Sequence, residues 1–89
     1  HLPTHVVMSG RGWVVGGGIT SDNLREATGI ELPPIEGGGV ARHLSDWVYR
    51  QWPEKLRGGE VFKKGAVRVV VRKVRRRQVL EAQIEKLPG

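Results

Sequence analysis

WVVGGGITSDNLREATGIELP, residues 13–33, is the stretch that decides the fold. Its first three residues, Trp13-Val14-Val15, are aromatic and β-branched, which is typical of a β-strand. Three consecutive glycines, Gly16–Gly18, then end the strand. The side-chain oxygens of Thr20-Ser21-Asp22 can accept free backbone N–H groups, so this cluster predicts the start of a helix.

The second half of the stretch predicts a short helix over residues 22–28 and a return of the chain to the core. Leu24 and Ala27 lie on one face of that helix, and Gly29 supplies the left-handed residue that ends it. The apolar residues of the return are Ile30 and Leu32. Strand, glycine turn, short helix and apolar return together make a compact αβ unit.

Composition and charge limit the classes of protein to which the chain can belong. Its 89 residues correspond to one small domain, and the absence of cysteine excludes disulfides and thiolate metal sites. No apolar run approaches the ~20 residues that a membrane span needs. The net charge of +6 is concentrated in residues 55–77, which hold ten basic side chains and one acidic one. A local basic surface is therefore expected.

A single domain is expected over residues 6–87, with residues 88–89 as a C-terminal tail. Residues 1–5 (HLPTH) are interpreted as a linker or an expression remnant, because Pro3 interrupts them and no periodic pattern begins there. Val6–Met8 predict a strand that forms a hairpin with the strand at Trp13.

The rest of the chain predicts an α+β fold, with two helices packed on a small, mainly antiparallel sheet of four to five strands. The main helix is expected over Val40–Trp52, where Val40 and Leu44 begin an apolar stripe and Pro53 ends the helix. Later strands are predicted at Val61-Phe62, Ala66–Val74 and Gln78–Ile84, with turns at Lys63-Lys64-Gly65 and Arg75-Arg76-Arg77. The expected core consists of Trp13, Val15, Leu24, Leu32, Leu44, Trp47, Val48, Val69 and Val71.

The glycine run is the first candidate site. Gly16, Gly17 and Gly18 follow a strand and precede a helix, as phosphate-binding glycines do. Their spacing matches neither the dinucleotide fingerprint nor the P-loop, so a structural turn is the favoured interpretation.

Other residue types that carry chemistry are scattered. His1, His5 and His43 are too far apart in the pattern to predict a metal site. The tryptophans could form an aromatic ligand platform, but core positions are favoured for them. No nucleophile, base and acid can be grouped, so we expect no catalytic residue, no enzyme activity and no resident cofactor.

The basic residues form the second candidate site. Lys63, Lys64, Arg75, Arg76 and Arg77 are predicted to lie in turns, and a solvated surface is the default interpretation. Attraction to an anionic membrane surface or to an acidic partner domain is the main functional alternative. Nucleic-acid binding is disfavoured, because no aromatic residue follows Phe62 to stack on bases.

The stretch at residues 13–33 resembles the start of the transporter-associated domain of the CorC/HlyC family. That family begins with an aromatic residue, two apolar residues and Asp-Gly, followed by Leu and by Gly-apolar-x-Leu-Pro at fixed offsets. The matching residues here are Trp13, Gly17, Leu24, Gly29, Ile30, Leu32 and Pro33. Trp52-Pro53 and Gly59-Glu60 match the later part of the pattern.

Three positions depart from this resemblance. Gly16 replaces the family's Asp, and Val40-Ala41-Arg42 stands where Thr-x-Ala-Gly is common. Arg75-Arg76 replaces the Asp-Gly or Asn-Gly of the last hairpin. A two-residue turn of the primed type needs positive φ at both positions, so we expect a looser turn here.

The resemblance implies a non-catalytic accessory domain of a membrane protein that carries paired CBS domains. Such proteins are linked to magnesium and cobalt efflux or are described as hemolysin-like, and the domain would modulate ion transport at the cytoplasmic face of the cell membrane. The implied partners are the CBS and transmembrane domains of the same polypeptide, and a homodimer is left open. Because the family's fold resembles part of flavin-binding domains, binding of FAD or an adenine nucleotide is an alternative. A basic nucleic-acid-binding domain is the second alternative.

Overall fold

Five strands and two helices make up the fold in the computed structural model, which describes residues 1–89. In chain order they are β1 (Val6–Ser9), β2 (Gly12–Gly16), α1 (Ser21–Thr28), α2 (Leu44–Gln51), β3 (Val61–Lys64), β4 (Val67–Arg75) and β5 (Gln78–Lys86). The strands form one antiparallel sheet in the order β1-β2-β5-β4-β3. The predicted α+β class, with two helices on a small antiparallel sheet, is confirmed.

The core lies between the helices and one face of the sheet. Val67, Val69 and Val71 alternate along β4 and are buried, as the period of a strand requires. Leu24 of α1 is fully buried against this face and contributes about 1.5–3 kcal/mol by its removal from water. The predicted core residues that are buried are Val15, Leu24, Leu44, Trp47, Val48, Val69 and Val71, whereas Trp13 and Leu32 are only half-buried at its edge.

Helix α1 begins at Ser21, one residue before the predicted start, and ends at Thr28 as predicted. Thr20 is its N-cap, and the Thr20 Oγ1 atom accepts the backbone N–H of Asn23 at 3.2 Å. Gly29 ends the helix in the left-handed conformation, with φ of 76°, and its N–H donates to the carbonyl of Arg25 at 2.8 Å. Ala27, which was placed on the same face as Leu24, is exposed.

Helix α2 begins four residues later than predicted. Val40 is 87% exposed and precedes the helix. His43 is the N-cap: its Nδ1 atom accepts the backbone N–H of Asp46 at 3.1 Å, while a carboxylate oxygen of Asp46 accepts the backbone N–H of Arg42 at 2.9 Å. This reciprocal capping fixes the start of the helix, and the pattern missed it because histidine is not a usual cap. Although burial acts to raise the pKa of Asp46, the hydrogen bonds from Arg42 and Arg50 hold that pKa below its ordinary value.

Strand β3 is longer than predicted. It includes Lys63 and Lys64, and the turn into β4 is made by Gly65 and Ala66 instead. Gly65 has a positive φ of 57°, which an L-residue rarely adopts. The turn therefore forms at the glycine, and both lysines pair with β4.

Candidate functional site

The three glycines at the end of β2, Gly16–Gly18, donate all their N–H groups inside the domain. Gly16 donates to the His5 carbonyl at 2.8 Å, Gly17 to the Leu80 carbonyl at 2.9 Å, and Gly18 to the Pro3 carbonyl at 2.8 Å. In a phosphate-binding loop these N–H groups would point at the ligand. Here they have internal acceptors, so the glycine run is built as a structural turn.

Close contacts explain why these positions are glycine. A Cβ atom added at Gly17 would lie 1.6 Å from the Val79 carbonyl oxygen, and one added at Gly16 would lie 2.2 Å from the Pro3 carbonyl oxygen. Neither glycine has a positive φ. The absence of a side chain, rather than an unusual backbone conformation, is therefore what the fold requires here.

The segment of residues 1–5, interpreted from the sequence as a linker or remnant, packs on the domain. Its carbonyls accept the hydrogen bonds from Gly16 and Gly18, and His5 Nε2 lies 2.8 Å from Glu81 Oε1. Arg72 Nε and Lys73 Nζ approach the other carboxylate oxygen of Glu81 at 3.2 and 3.8 Å. The segment docks because the glycines leave room for its backbone, a contact that no side-chain pattern encodes.

Ser45 joins the glycine turn to both α2 and β5. Its N–H donates to the Gly17 carbonyl at 2.8 Å, and its hydroxyl oxygen accepts the backbone N–H of Val79 at 2.8 Å. Ser45 is 2% exposed and is the one buried polar residue of the core. Sequence reasoning missed this residue, because the helical spacing predicted over Val40–Trp52 placed Ser45 away from the apolar stripe.

The tryptophans contact one another and Phe62. Trp47 is 2% exposed, and its Nε1 donates to the Pro33 carbonyl at 2.8 Å. Trp52 meets Trp47 edge-on at 5.5 Å between ring centroids and stacks on Phe62 at 4.1 Å with an interplanar angle of 10°. One ring face of Trp52 is thus used within the domain, which favours the core-edge interpretation over a ligand platform.

The five candidate basic residues lie at opposite ends of the sheet. Lys63 and Lys64 pair with the first residues of β4, whereas Arg75 is its last residue and Arg76 and Arg77 follow it. At about 3.3 Å per residue, the nine-residue strand separates the two groups by roughly 25 Å. Lys64 also forms an ion pair with Glu36 at 3.2 Å. The structure therefore divides the predicted basic surface into two.

The turn between β4 and β5 is tighter than predicted. Arg75 pairs with Gln78, which leaves Arg76 and Arg77 as a two-residue loop. Both have positive φ, of 52° and 59°, and no other non-glycine residue of the chain does. Left-handed backbone costs an L-residue about 1–2 kcal/mol. The expectation of a looser turn is wrong, because the long pairing of β4 with β5 holds the arginines in this conformation.

We call the turn at Arg75–Arg77 the arginine tip. A cleft of about 740 Å³ lies between this tip and the loop that follows α2. We call it the tip cleft. Its lining comprises Tyr49, Pro53, Glu54, Lys55, Leu56, Arg57, Val74, Arg75, Arg76 and Arg77. Lys55 and Arg57 were not singled out from the sequence; they belong to the same basic block but lie some twenty positions before the tip. Only the return of the hairpin toward the end of α2 brings them together.

The Glu60 carboxylate lies beside Arg57 and offsets part of this charge. Both carboxylate oxygens of Glu60 accept backbone N–H groups, from Arg57 and Gly58, each at 2.8 Å. The hydrogen bond from the Arg57 N–H is the main reason why the pKa of Glu60 lies below its ordinary value. Burial raises the pKa of the Tyr49 hydroxyl, Glu60 raises it further, and Arg77 opposes both. Tyr49 therefore lies within the electrostatic reach of the arginine tip.

The remaining features to consider are metal-binding groups, the histidines and the length of the helices. No group of three His, Cys, Asp or Glu side chains is arranged to hold a metal ion. His5 contacts Glu81, whereas His43 caps α2. Neither helix has the length and apolar character that crossing a bilayer would require.

Comparison with known proteins leaves the family open. No protein-family model matches the chain, and no curated protein matches it either. The similarity to the CorC/HlyC transporter-associated domain therefore depends on the residues quoted from the sequence.

Proposed function

We propose that this chain is a non-catalytic accessory domain of a CorC/HlyC-type membrane protein with paired CBS domains, where it modulates the transport of divalent cations such as magnesium or cobalt. The observation that carries the proposal is the unit built by residues 13–33. It has the order that the resemblance requires: strand, glycine turn, short helix, left-handed glycine and apolar return.

The residues that carry the resemblance have physical roles in this unit. Gly17 has no room for a side chain, Leu24 is fully buried, and Gly29 ends α1 with a positive φ. Ile30, which follows, is 3% exposed. Positions 17 and 29 thus favour glycine and positions 24 and 30 need an apolar side chain, which supports the resemblance.

The main departure from the pattern also has a physical account. Gly16, which replaces the family's Asp, faces the Pro3 carbonyl so closely that any Cβ atom would collide with it. In this chain the N-terminal segment fills the space that an aspartate side chain would occupy. The replacement is therefore compatible with the same fold.

Binding of FAD or another adenine nucleotide at Gly16–Gly18 has less support. The N–H groups that would hold a pyrophosphate already have carbonyl acceptors at 2.8–2.9 Å. A ligand there would have to displace the segment of residues 1–5 and the contact with β5.

The complete reading frame tests the proposal first. We expect membrane helices and a CBS pair to precede residue 1 in the same polypeptide. A reading frame without either of them would overturn the proposal.

The second test deletes residues 6–87 from that full-length protein and measures the efflux of cobalt or magnesium from cells. We expect altered transport with an unchanged amount of protein in the membrane, as measured by immunoblot. The matched control carries Ala27→Ser, a change at an exposed position of α1 that should leave transport as it was. Normal transport by the deleted protein would argue against a regulatory role.

A further inference from the structure

The tip cleft gathers most of the cations that the fold leaves unpaired. Six of the fifteen lysines and arginines form ion pairs, which leaves nine without a carboxylate partner within 4.0 Å. Five of these nine line the cleft, and they are Lys55, Arg57, Arg75, Arg76 and Arg77. All five are exposed, and Glu54 is the one acidic residue in the lining. Glu60, whose carboxylate accepts the Arg57 backbone N–H, lies just outside the lining, so the cleft carries an excess of about three to four positive charges over a small area.

The cleft also has an apolar floor. Leu56 is 5% exposed, while Tyr49 and Val74 are half-buried beneath the cations. Its volume of about 740 Å³ falls in the range of small-molecule sites, which is about 300–1,000 Å³. An apolar floor with charged groups at the rim suits a ligand that has an uncharged body and an anionic end.

The kind of anion follows from the kind of cation. Four of the five cations are arginines, whose planar guanidinium groups bind phosphate through two parallel hydrogen bonds. A single carboxylate would leave most of the charge uncompensated, whereas two or more phosphoryl groups would balance it. We propose that the tip cleft binds a ligand with clustered phosphoryl groups, either a free phosphorylated small molecule or a phosphorylated lipid headgroup.

The backbone of the tip supports this assignment. Arg76 and Arg77 have positive φ, where the turn type favours asparagine and glycine. Arginine is therefore unfavourable here for folding, both by conformation and by repulsion from Arg57 and Lys55 across the cleft. A bound polyanion would offset the repulsion and use the side chains that the turn itself does not need. This site does not depend on the proposed transporter function and can be tested separately.

The first experiment titrates the purified 89-residue chain with inorganic tripolyphosphate and follows backbone amides by two-dimensional NMR. We expect saturable shifts confined to residues 54–58 and 74–78, on both sides of the cleft, together with shifts of Tyr49. Sodium sulfate at equal ionic strength is the control for screening. No saturable shift, or shifts spread equally over residues such as Lys63 and Lys86, would overturn the proposal.

A charge-removing variant that should not impair folding makes the test specific. Arg76→Asn/Arg77→Gly removes two cations and installs the residues that the primed turn prefers. We expect at least about tenfold weaker binding of tripolyphosphate, because two charge-assisted contacts are lost. The matched control is Arg11→Gln/Lys86→Gln, which removes the same charge from exposed, unpaired positions at the far end of the sheet. Equal loss in both variants would show only nonspecific charge attraction and would overturn the site.

Vesicles distinguish the two sources of phosphoryl groups. Two kinds of phosphatidylcholine vesicle with the same total negative charge are compared. In one kind the charge comes from phosphatidylinositol bisphosphate, and in the other it comes from phosphatidylserine. Preference for the bisphosphate, lost in Arg76→Asn/Arg77→Gly, supports a lipid headgroup; tripolyphosphate binding without this preference supports a free ligand. Binding to a single-stranded oligonucleotide that tripolyphosphate does not displace would overturn the proposal in favour of a nucleic acid.

Discussion

Two turns of this molecule, Gly16–Gly18 and Arg75–Arg77, restrict the residue type at their positions for different physical reasons. At Gly17 the backbone conformation would accept other residues, but the Val79 carbonyl leaves no space for a Cβ atom. At Arg76 and Arg77 the side chains are exposed and have space, but positive φ disfavours most residues with a Cβ atom other than asparagine and aspartate. The first turn is limited by packing and the second by conformation.

The glycines suit the positions they occupy, whereas the arginines do not suit theirs. Glycine has no Cβ atom and so fits the limited space, and the backbone of these glycines forms hydrogen bonds with β5, α2 and the N-terminal segment. Arginine is disfavoured at positive φ, and the extended pairing of β4 with β5 holds Arg76 and Arg77 in that conformation. A residue that fits its backbone needs no reason beyond folding, whereas one that does not fit points to a role outside the fold.

The largest expected effect tests the packing limit. Gly17→Ala places a Cβ atom 1.6 Å from the Val79 carbonyl oxygen, so β2, β5 or α2 must shift. We expect a loss of at least about 3 kcal/mol in the free energy of unfolding, measured by urea denaturation, which is a large part of the stability of a small domain.

Gly29→Ala is the matched control for this change. Gly29 has a positive φ of 76° and open space around its Cβ position, so only the conformational cost of about 1–2 kcal/mol should be seen. If the two variants lost equal stability, the contact at Gly17 would relax easily and the proposed difference between the turns would be wrong.

The next effect concerns the hydrogen bonds that the glycine turn allows. Ser45→Ala removes the acceptor of the Val79 N–H and leaves that buried donor unpaired. We expect a loss of about 1–3 kcal/mol in thermal or urea unfolding. Ser21→Ala, at an exposed position of α1, should change stability by less than about 0.5 kcal/mol. A Ser45→Ala variant as stable as this control would mean that water replaces the hydroxyl.

Features set by neighbouring residues could be predicted from the sequence. The N-cap at Thr20, the left-handed Gly29 and the alternation of Val67, Val69 and Val71 all follow from local chemistry, and the structure has them. The start of α2 could not be predicted in the same way. It depends on a histidine acting as a cap and on the Asp46 carboxylate, which accepts the backbone N–H of Arg42.

Features set by distant residues could not be predicted. The sequence shows the arginine run, but the contribution of Lys55 and Arg57 to the same cleft appears only when the hairpin is folded against the end of α2. Likewise, Lys63 and Lys64 belong to the same basic block of the sequence as the arginines, yet they lie at the other end of β4. The tight turn was also missed, since local preference gives no sign that strand pairing will hold arginine at positive φ.

A smaller effect, in the stabilising direction, tests the conformational limit. Arg76→Asn/Arg77→Gly places the preferred residues of a primed turn where φ is 52° and 59°. We expect a gain of about 1–2 kcal/mol in the free energy of unfolding, measured in ~0.3 M sodium chloride so that charge effects are reduced. No gain would show that the arginines are accommodated without strain.

The smallest effect tests repulsion at the arginine tip. Two unit charges about 7 Å apart in water repel by about 0.6 kcal/mol, and five exposed cations surround the tip cleft. Because the Debye length falls to about 10 Å at 0.1 M salt, sodium chloride should screen this repulsion and stabilise the folded chain. Between ~0.02 and ~0.3 M we expect the free energy of unfolding to rise by several tenths of a kcal/mol. Arg76→Asn/Arg77→Gly should lose about half of that rise, and Arg11→Gln/Lys86→Gln should keep it, because its charges lie at the far end of the sheet. If both variants responded to salt as the unmodified chain does, charge repulsion at the arginine tip would not destabilise the fold. The positive φ of Arg76 and Arg77 would then be the one unfavourable feature of this turn.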